Sequence, residues 1–306
     1  MSAIQFLTQK EIDRHKWDAC IARSLNSLPY AFSLYLDSVA ENWDALVSGN
    51  YEVVMPIVWT RKFGIKCLYQ PYYCQQLGVF GDMPNKETYR EFLNYVTQRY
   101  AYVNINLNPS AQIVAEEYNL KVKKNLFLSL NEKYELLKKG YSENHKRNIR
   151  KAAKEKITFS YETTVSNFQK FYLENVNRKQ ENFKSKHEKI FRLLTKALIE
   201  NGSGKLFSCI SEEKKQLASC MIVRHEKRII NIINTSSLEG KNTGASHFLF
   251  DGIIQAYSGK DITLDFEGSS VHSIARFYEG FGAQQEIFYN YHTSVFKKYG
   301  QRFSQK

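Results

Sequence analysis

Two stretches of this chain follow one plan, and that repetition limits the possible folds more than any other feature. Residues 31–59 read AFSLYLDSVAENWDALVSGNYEVVMPIVW. Phe32, Tyr35, Leu36 and Val39 recur at helical spacing, which predicts an amphipathic helix. Two β-type runs follow, DALVSG and EVVMPIVW, joined across Gly49-Asn50, a dipeptide suited to a hairpin turn. Residues 168–236 repeat the scheme. FQKFYLENVNRKQ places Phe168, Phe171, Tyr172 and Val176 on one helix side, and HEKIFRLLTKALIENG predicts a second helix stopped by Gly202. LFSCIS, QLASCMIVRH and RIINIINTSS then predict three strands. One architecture is expected to be used twice.

The remaining segments fit such a plan. Strands are expected at IKCLYQP, YVNINLN, VKKNLFLSL, ITLDFEG and EIFYNYHTSVF. Helices are expected at ETYREFLNYVTQRY, AQIVAEEYN, His247–Tyr257 and SIARFYEGF. Alternating strands and helices favour an α/β or α+β architecture with mixed sheets, and 306 residues suit two domains. The boundary is expected near Leu130–Gly140, giving domains 1–137 and 138–306. The second would open with a basic helix, and the last strand is available to pack on the first domain.

That basic helix raises the question of partners. Lys138–Lys156 holds eight Lys/Arg and two Glu. On an ideal helix Lys146, Arg147, Arg150, Lys151 and Lys154 form a broad basic face opposite Ile149, Ala152 and Ala153. A solvated face usually mixes signs, whereas this one hardly does. With a net charge of +12 and a pI near 9.3, RNA or another polyanion is one expected partner, and a plain solvated helix is the other reading. The five cysteines are odd in number and form no CxxC, which points to reduced thiols. The N-terminal residues lack an apolar leader core, and no apolar run approaches the roughly 20 residues of a membrane span. A soluble, cytoplasmic protein is expected.

Several chemistries find no support. The seven His are scattered, no HExxH occurs, and neither His187-Glu188 nor His225-Glu226 has a second ligand at helical spacing, so no metal is expected. There is no GxSxG. GSGK at 202–205 lacks an upstream Gly, and Leu206 stands where a phosphate loop needs Ser/Thr, so it reads as a turn. Two places hold more promise. LEGKNTGASHFLFDGIIQAY follows a predicted strand and opens a helix, where Gly244 permits close backbone approach and the helix N-terminus offers N–H groups to a phosphate. An ordinary strand–turn–helix joint is the alternative. In LDFEGSS, Asp265 and Glu267 lie two apart and would share one face of a strand, with Phe266 on the other. They could position an amine, cap the next helix or pair with Arg276. In RFYEGFG, Tyr278 could donate a proton to a leaving group, while Phe277 and Phe281 read as core.

These segments share a resemblance. KNTGAS resembles the R/Q-x-x-G-x-G/A pyrophosphate loop of GNAT N-acyltransferases, with Lys241 for Arg/Gln, Gly244 matching, and Ser246 for Gly/Ala. FYEGFG resembles the GNAT ending FYxxxGF, one residue short, a form similar to the FemABX branch of aminoacyl-tRNA-dependent peptidyltransferases. NHKRNIRKAAKEKITF resembles the basic helix that begins the second domain of that branch, and DFEGSS its (D/E)-F-x-G strand end. QPYYCQQLGVF and YLDSVAENWDAL look similar to small bacterial FemAB-like proteins. The resemblance covers nearly the whole chain, but no long heptad run provides an inserted coiled-coil arm.

It implies two tandem GNAT-like domains and transfer of an acyl or aminoacyl group to an amine without a required cofactor. The donor would be aminoacyl-tRNA or acyl-CoA. The acceptor would be a small-molecule or muropeptide amine, as on a cell-wall precursor, bound in a cleft between the domains. On this reading Asp265 or Glu267 orients the amine and Tyr278 donates a hydrogen bond or proton. Lys241, Gly244 and Ser246 meet the donor's phosphate. Arg178, Gln75 and Gln76 serve the acceptor. A reading of another class is a non-catalytic RNA-binding protein on a degenerate acyltransferase scaffold.

Overall fold

The computed structural model describes residues 4–82, 84–176, 183, 185–268 and 271–295. The chain divides into two compact units. Among the described residues, one comprises those up to Lys123 and those from Ile287 on, and the other those of Lys124–Glu286. Residues 124–130, read from sequence as part of the first half, fall in the second unit.

The first unit runs β1 (Ile4–Leu7), α1 (Arg14–Arg23), α2 (Ser33–Val39), β2 (Trp43–Ser48), β3 (Val53–Lys62), β4 (Ile65–Tyr69), β5 (Phe80–Gly81), α3 (Lys86–Arg99) and β6 (Tyr102–Leu107). A 3-10 turn over Pro109–Val114 follows where a helix is predicted for AQIVAEEYN. Pro109 opens that turn, and Asn119 at φ 49° turns the chain into the next strand, so a regular helix has no room to grow. The second unit runs β7 (Lys121–Ser129), α4 (Tyr134–Lys139), α5 (Glu143–Lys154), β8 (Thr158–Ser160), α6 (Val165–Val176), α7 (Ser185–Glu200), β9 (Gly204–Ile210), β10 (Gln216–His225), β11 (Arg228–Ser236), α8 (Leu238–Thr243), α9 (Ala245–Tyr257), β12 (Thr263–Asp265) and α10 (His272–Glu279), and the chain then enters β13 (Gln284–Ser294).

The strand order is β1-β2-β3-β4-β6-β13 in the first unit and β8-β9-β10-β11-β12-β7 in the second. In each, a strand, two helices and an antiparallel three-strand meander lead through a helix to a strand that joins in parallel, β4 with β6 and β11 with β12. The two repeats are GNAT-like. Each parallel strand then takes an antiparallel neighbour from the other repeat: β7 pairs with β12, and β13 with β6.

Apolar side chains explain the layers. In the first unit Tyr89, Phe92, Leu93 and Val96 lie three and four apart along α3 and are fully buried against Leu46, Ile57, Leu68 and Val103 of the sheet. Trp17 and Trp43, 5.1 Å apart, fill a second core. In the second unit α5, α9 and α10 bury Ile149, Phe250, Ile253, Tyr278 and Phe281 in one cluster with Phe207, Cys220 and Ile229. Phe168 of α6 and Phe191 of α7 pack together elsewhere, their helices lying on β9, β10 and β11. All five cysteines are buried. Among the described residues no helix is long and apolar enough to cross a membrane.

Candidate active site

β11 reads RIINIINTS, and its two asparagines are three apart. In a regular strand that spacing sends side chains to opposite faces. Here the pairing with β10 slips: Ile222 faces Asn231 but Met221 faces Ile233, so β11 carries one extra residue. Such a bulge re-aims the side chains beyond it. Both asparagines therefore reach one atom, the Tyr278 hydroxyl of α10, with Nδ2 of Asn231 donating at 3.1 Å and Nδ2 of Asn234 at 3.0 Å.

Tyr278 is 4% exposed, and its ring stacks on Phe266 at 4.7 Å. Burial raises its pKa well above the ordinary phenol value. The two amide bonds oppose that push and Glu267 adds to it. The phenol is thus protonated at neutral pH, and its oxygen is occupied by two donors. Its own proton has no acceptor among the described residues. The Asn231 amide oxygen, also buried, has no hydrogen-bond partner among them either. A buried polar atom left this way costs about 1–3 kcal/mol, a cost that a ligand N–H or a water would remove. β11 pairs with β12 only from Arg228 to Ile230; past Ile230 and Asp265 that edge has no strand partner among the described residues. Tyr278 and the two asparagines sit where the parallel pair parts.

The two carboxylates named from sequence separate here. β12 ends at Asp265, and Glu267 adopts φ 51°, so the pair does not share a strand face. The Glu267 N–H turns back to Asp265 Oδ1 at 2.8 Å. Asp265 is 2% exposed and also accepts from Arg228 at 2.6 Å and Asn125 at 3.0 Å. Arg228, not Arg276, neutralises it. Burial pushes the Asp265 carboxyl up against the pull of Arg228. Arg228 forks onto both oxygens of Glu286 at 2.6 and 3.0 Å, and this outweighs burial and holds Glu286 below the usual carboxylate range. Asn125 closes the network through Glu286 at 2.7 Å and the Gly268 N–H at 2.6 Å. Asp265 is thus tied into a lattice that fixes the end of β12, while Glu267 is half-exposed beside the site.

The basic helix is α5, capped by Ser142, whose hydroxyl accepts from the His145 N–H. Its buried face is His145, Ile149 and Ala152; Ala153, expected in that stripe, is exposed. His145 Nε2 donates to the Phe277 carbonyl at 2.7 Å, and the Ser142 N–H to the Gly280 carbonyl at 2.9 Å. α5 thereby grips the C-terminal turn of α10, the helix that carries Tyr278. Arg147, Arg150, Lys151 and Lys154 are exposed, and Lys146 pairs with Glu143 at 3.0 Å. The expected phosphate loop is a short helix, α8, then Gly244 at φ 82°, then α9. A Cβ on Gly244 would lie 2.5 Å from the Asn148 carbonyl oxygen, so this glycine lets α5 pack closely. Lys241 is exposed and Ser246 half-buried.

At the carboxyl end of β11, beside α6, lies a cavity of about 380 Å³ lined by Lys170, Phe171, Glu174, Gln216 and Ser237. The Gln216 amide nitrogen is buried there without a partner among the described residues. In the first unit, the corresponding parting of β4 and β6 is filled by the chain itself. The Leu77 N–H donates to the Asn106 carbonyl at 2.9 Å, the Asn106 amide to the Gln75 carbonyl at 2.7 Å, and the Asn106 N–H to the Gln70 side chain at 2.9 Å. Gln75 and Gln76 belong to this filling segment and bond to each other at 2.8 Å. Arg178 lies outside the described residues. Sequence reasoning missed Asn231, Asn234, Arg228, Glu286 and Asn125. The two asparagines carried a signal, as polar residues within an otherwise apolar strand; the other three carried none.

No protein-family model and no curated protein sequence matches the chain. Among solved structures, FemX matches with a TM-score of 0.68 at 12% identity, over 94% of this chain and 97% of FemX. The chain shares the fold of FemX. A conserved protein of unknown function from Bacteroides thetaiotaomicron VPI-5482 matches with a TM-score of 0.61 at 9% identity, over 96% of this chain and all (100%) of that one. A C-terminal domain (DUF2156) assigned to a lysylphosphatidylglycerol synthetase from Agrobacterium fabrum matches at 0.57 and 13% identity, over 92% and 91%. At these identities the likeness is one of fold, and that fold is the FemABX-like, GNAT-type architecture implied by the motifs.

Proposed function

We propose that this protein is an N-acyltransferase whose second unit moves an acyl or aminoacyl group from an activated ester or thioester to an amine. The observation that carries the reading is the Tyr278 hydroxyl, which takes two amide N–H bonds, keeps its proton, and sits where β11 loses its parallel partner. The amine nitrogen attacks the carbonyl carbon, a C–N bond forms, and charge moves to the carbonyl oxygen. As the intermediate collapses, the bond to the leaving oxygen or sulfur breaks and Tyr278 supplies that atom's proton. The Asn231 and Asn234 N–H groups stabilise the phenolate, and the proton shed by the new ammonium restores the phenol. Glu267 orients the amine, while Asp265 acts only by fixing the strand end. Positioning supplies the rest of the rate.

The donor is aminoacyl-tRNA or acyl-CoA. Lys241, Ser246 and the exposed cations of α5 are suited to its phosphates, and the FemX-like fold supports the aminoacyl choice. The acceptor is a small-molecule or cell-wall-precursor amine. The cavity beside α6, with Lys170 and Glu174 in its wall, suits one carrying both charges. The test presents the purified protein with charged tRNA and with acyl-CoA side by side, using diamino acids and muropeptides as acceptors and detecting the amide product by mass spectrometry. Product is expected from one donor, and Tyr278→Phe should lower kcat about 10²–10³-fold with little change in KM. Full turnover by the Phe variant would overturn the assignment.

A further inference from the structure

The hairpin joining β3 to β4 reads Trp59-Thr-Arg-Lys-Phe-Gly-Ile-Lys66 and holds three cations and no acid. Its pairing extends past both neighbouring strands. β2 meets β3 as far as Val58, with one further bond from the Trp59 N–H to the Asn42 carbonyl, and β6 meets β4 from Cys67, so Arg61-Lys62 and Ile65-Lys66 pair with each other alone. The tip is therefore a two-stranded finger. Lys62 faces Ile65, leaving a two-residue loop of Phe63 and Gly64 at φ 50° and 77°. Both values are those of a type I′ turn, whose first place favours Asn or Gly because other side chains are strained there. Phe63 holds that place in the left-handed region, and its side chain is fully exposed, at 103%. Ile65 beside it is exposed as well. A residue unfavourable both to the turn and to water, at the end of a projecting ribbon, calls for an environment that repays it.

The surrounding charges indicate which environment. Lys66 is set over the Trp59 ring at 3.9 Å and pairs with Asp44 at 3.5 Å. Arg61 and Lys62 have no acidic partner among the described residues; Arg61 instead donates to the Gly64 carbonyl at 3.0 Å, which holds its head at the tip. We infer that this finger is a docking element for an anionic phospholipid surface. Phe63 and Ile65 enter the headgroup–acyl boundary, and Arg61 and Lys62 meet lipid phosphates. An apolar tip ringed by cations is the composition such an interface selects, and each near-surface cation adds several-fold to partitioning. The contact is reversible, since one insertion element without a second anchor binds only marginally. This inference is independent of the acyl-transfer reading.

The full chain should co-sediment with phosphatidylcholine vesicles containing phosphatidylglycerol, less as salt rises, and not with pure phosphatidylcholine. Phe63→Asn should lower that partitioning about tenfold, yet raise the melting temperature, because Asn-Gly fits the turn. Lys62→Glu should lower partitioning without that gain. Phe63→Trp should give blue-shifted fluorescence quenched by brominated lipid. Absence of binding to the anionic vesicles, or equal binding by Phe63→Asn, would overturn the proposal. Equal binding by Phe63→Asn would include the case in which this face serves an RNA or a protein.

Discussion

At the scale of single residues, the proposed site rests on one phenol and two amides. Asn234→Ala should reduce kcat about 10–100-fold, because it removes a donor to a developing anion; steady-state kinetics beside Tyr278→Phe would show whether the two losses fail to add, as expected for groups acting on one atom. Tyr278 was singled out in the sequence because its neighbours form a recognisable segment. Asn231 and Asn234 offered only their polarity within an apolar strand, because strict alternation assigns them to opposite faces and only the bulge in β11 reconciles them. Asp265 and Glu267 show the converse. Alternation unites them, and the left-handed turn at Glu267 parts them. Histidine titration gives a further expectation. Burial first, then the nearby His145, lowers His247 to about 4, and burial lowers His145 too. Between pH 6.5 and about 4 the unfolded chain binds protons that the folded chain refuses, so stability should fall as pH drops through that window and be level above it. Melting curves across pH should show this fall, and His247→Phe should shallow it.

At the scale of elements, α5 joins a legible helix to an illegible purpose. Periodicity and the Ser142 cap identify the helix, but a buried histidine replaces Ala153 in its inner face, since a polar ring can be buried once both nitrogens are satisfied. His145→Asn should lower kcat more than it changes KM, by letting α10 shift, while the exposed cations of α5 stay in place. Rescue by no other polar residue of similar size would fit positioning; unchanged kinetics would count against it. Gly244 was legible as a special position for a partly different reason. It was read as a place for a phosphate, and its missing side chain makes room for the backbone of α5. Gly244→Ala should cost about 1–3 kcal/mol in backbone strain alone, and more from the clash, as read by denaturant unfolding.

At the scale of the whole molecule, the doubled plan was readable because helix and strand periods differ, and the last strand was expected to be available to the first domain, as its pairing with β6 has it; the pairing of β7 with β12 was not foreseen, because a strand's own pattern does not name its neighbour. The sheet that receives β13 takes strands from both sides of the second repeat in the sequence. Removal of the chain from Gln284 onward should therefore destabilise β6 as much as the site, and hydrogen exchange at Val103 and Ile105 would report it. In the cell, synthesis from the N-terminus leaves the sheet of β1–β6 waiting, with an open edge at β6, until the whole second repeat has been made. That interval exposes β6 to strangers, so nascent chains of this protein should lean on ribosome-bound chaperones, and a gene split between its halves should yield fragments that seek each other rather than fold alone.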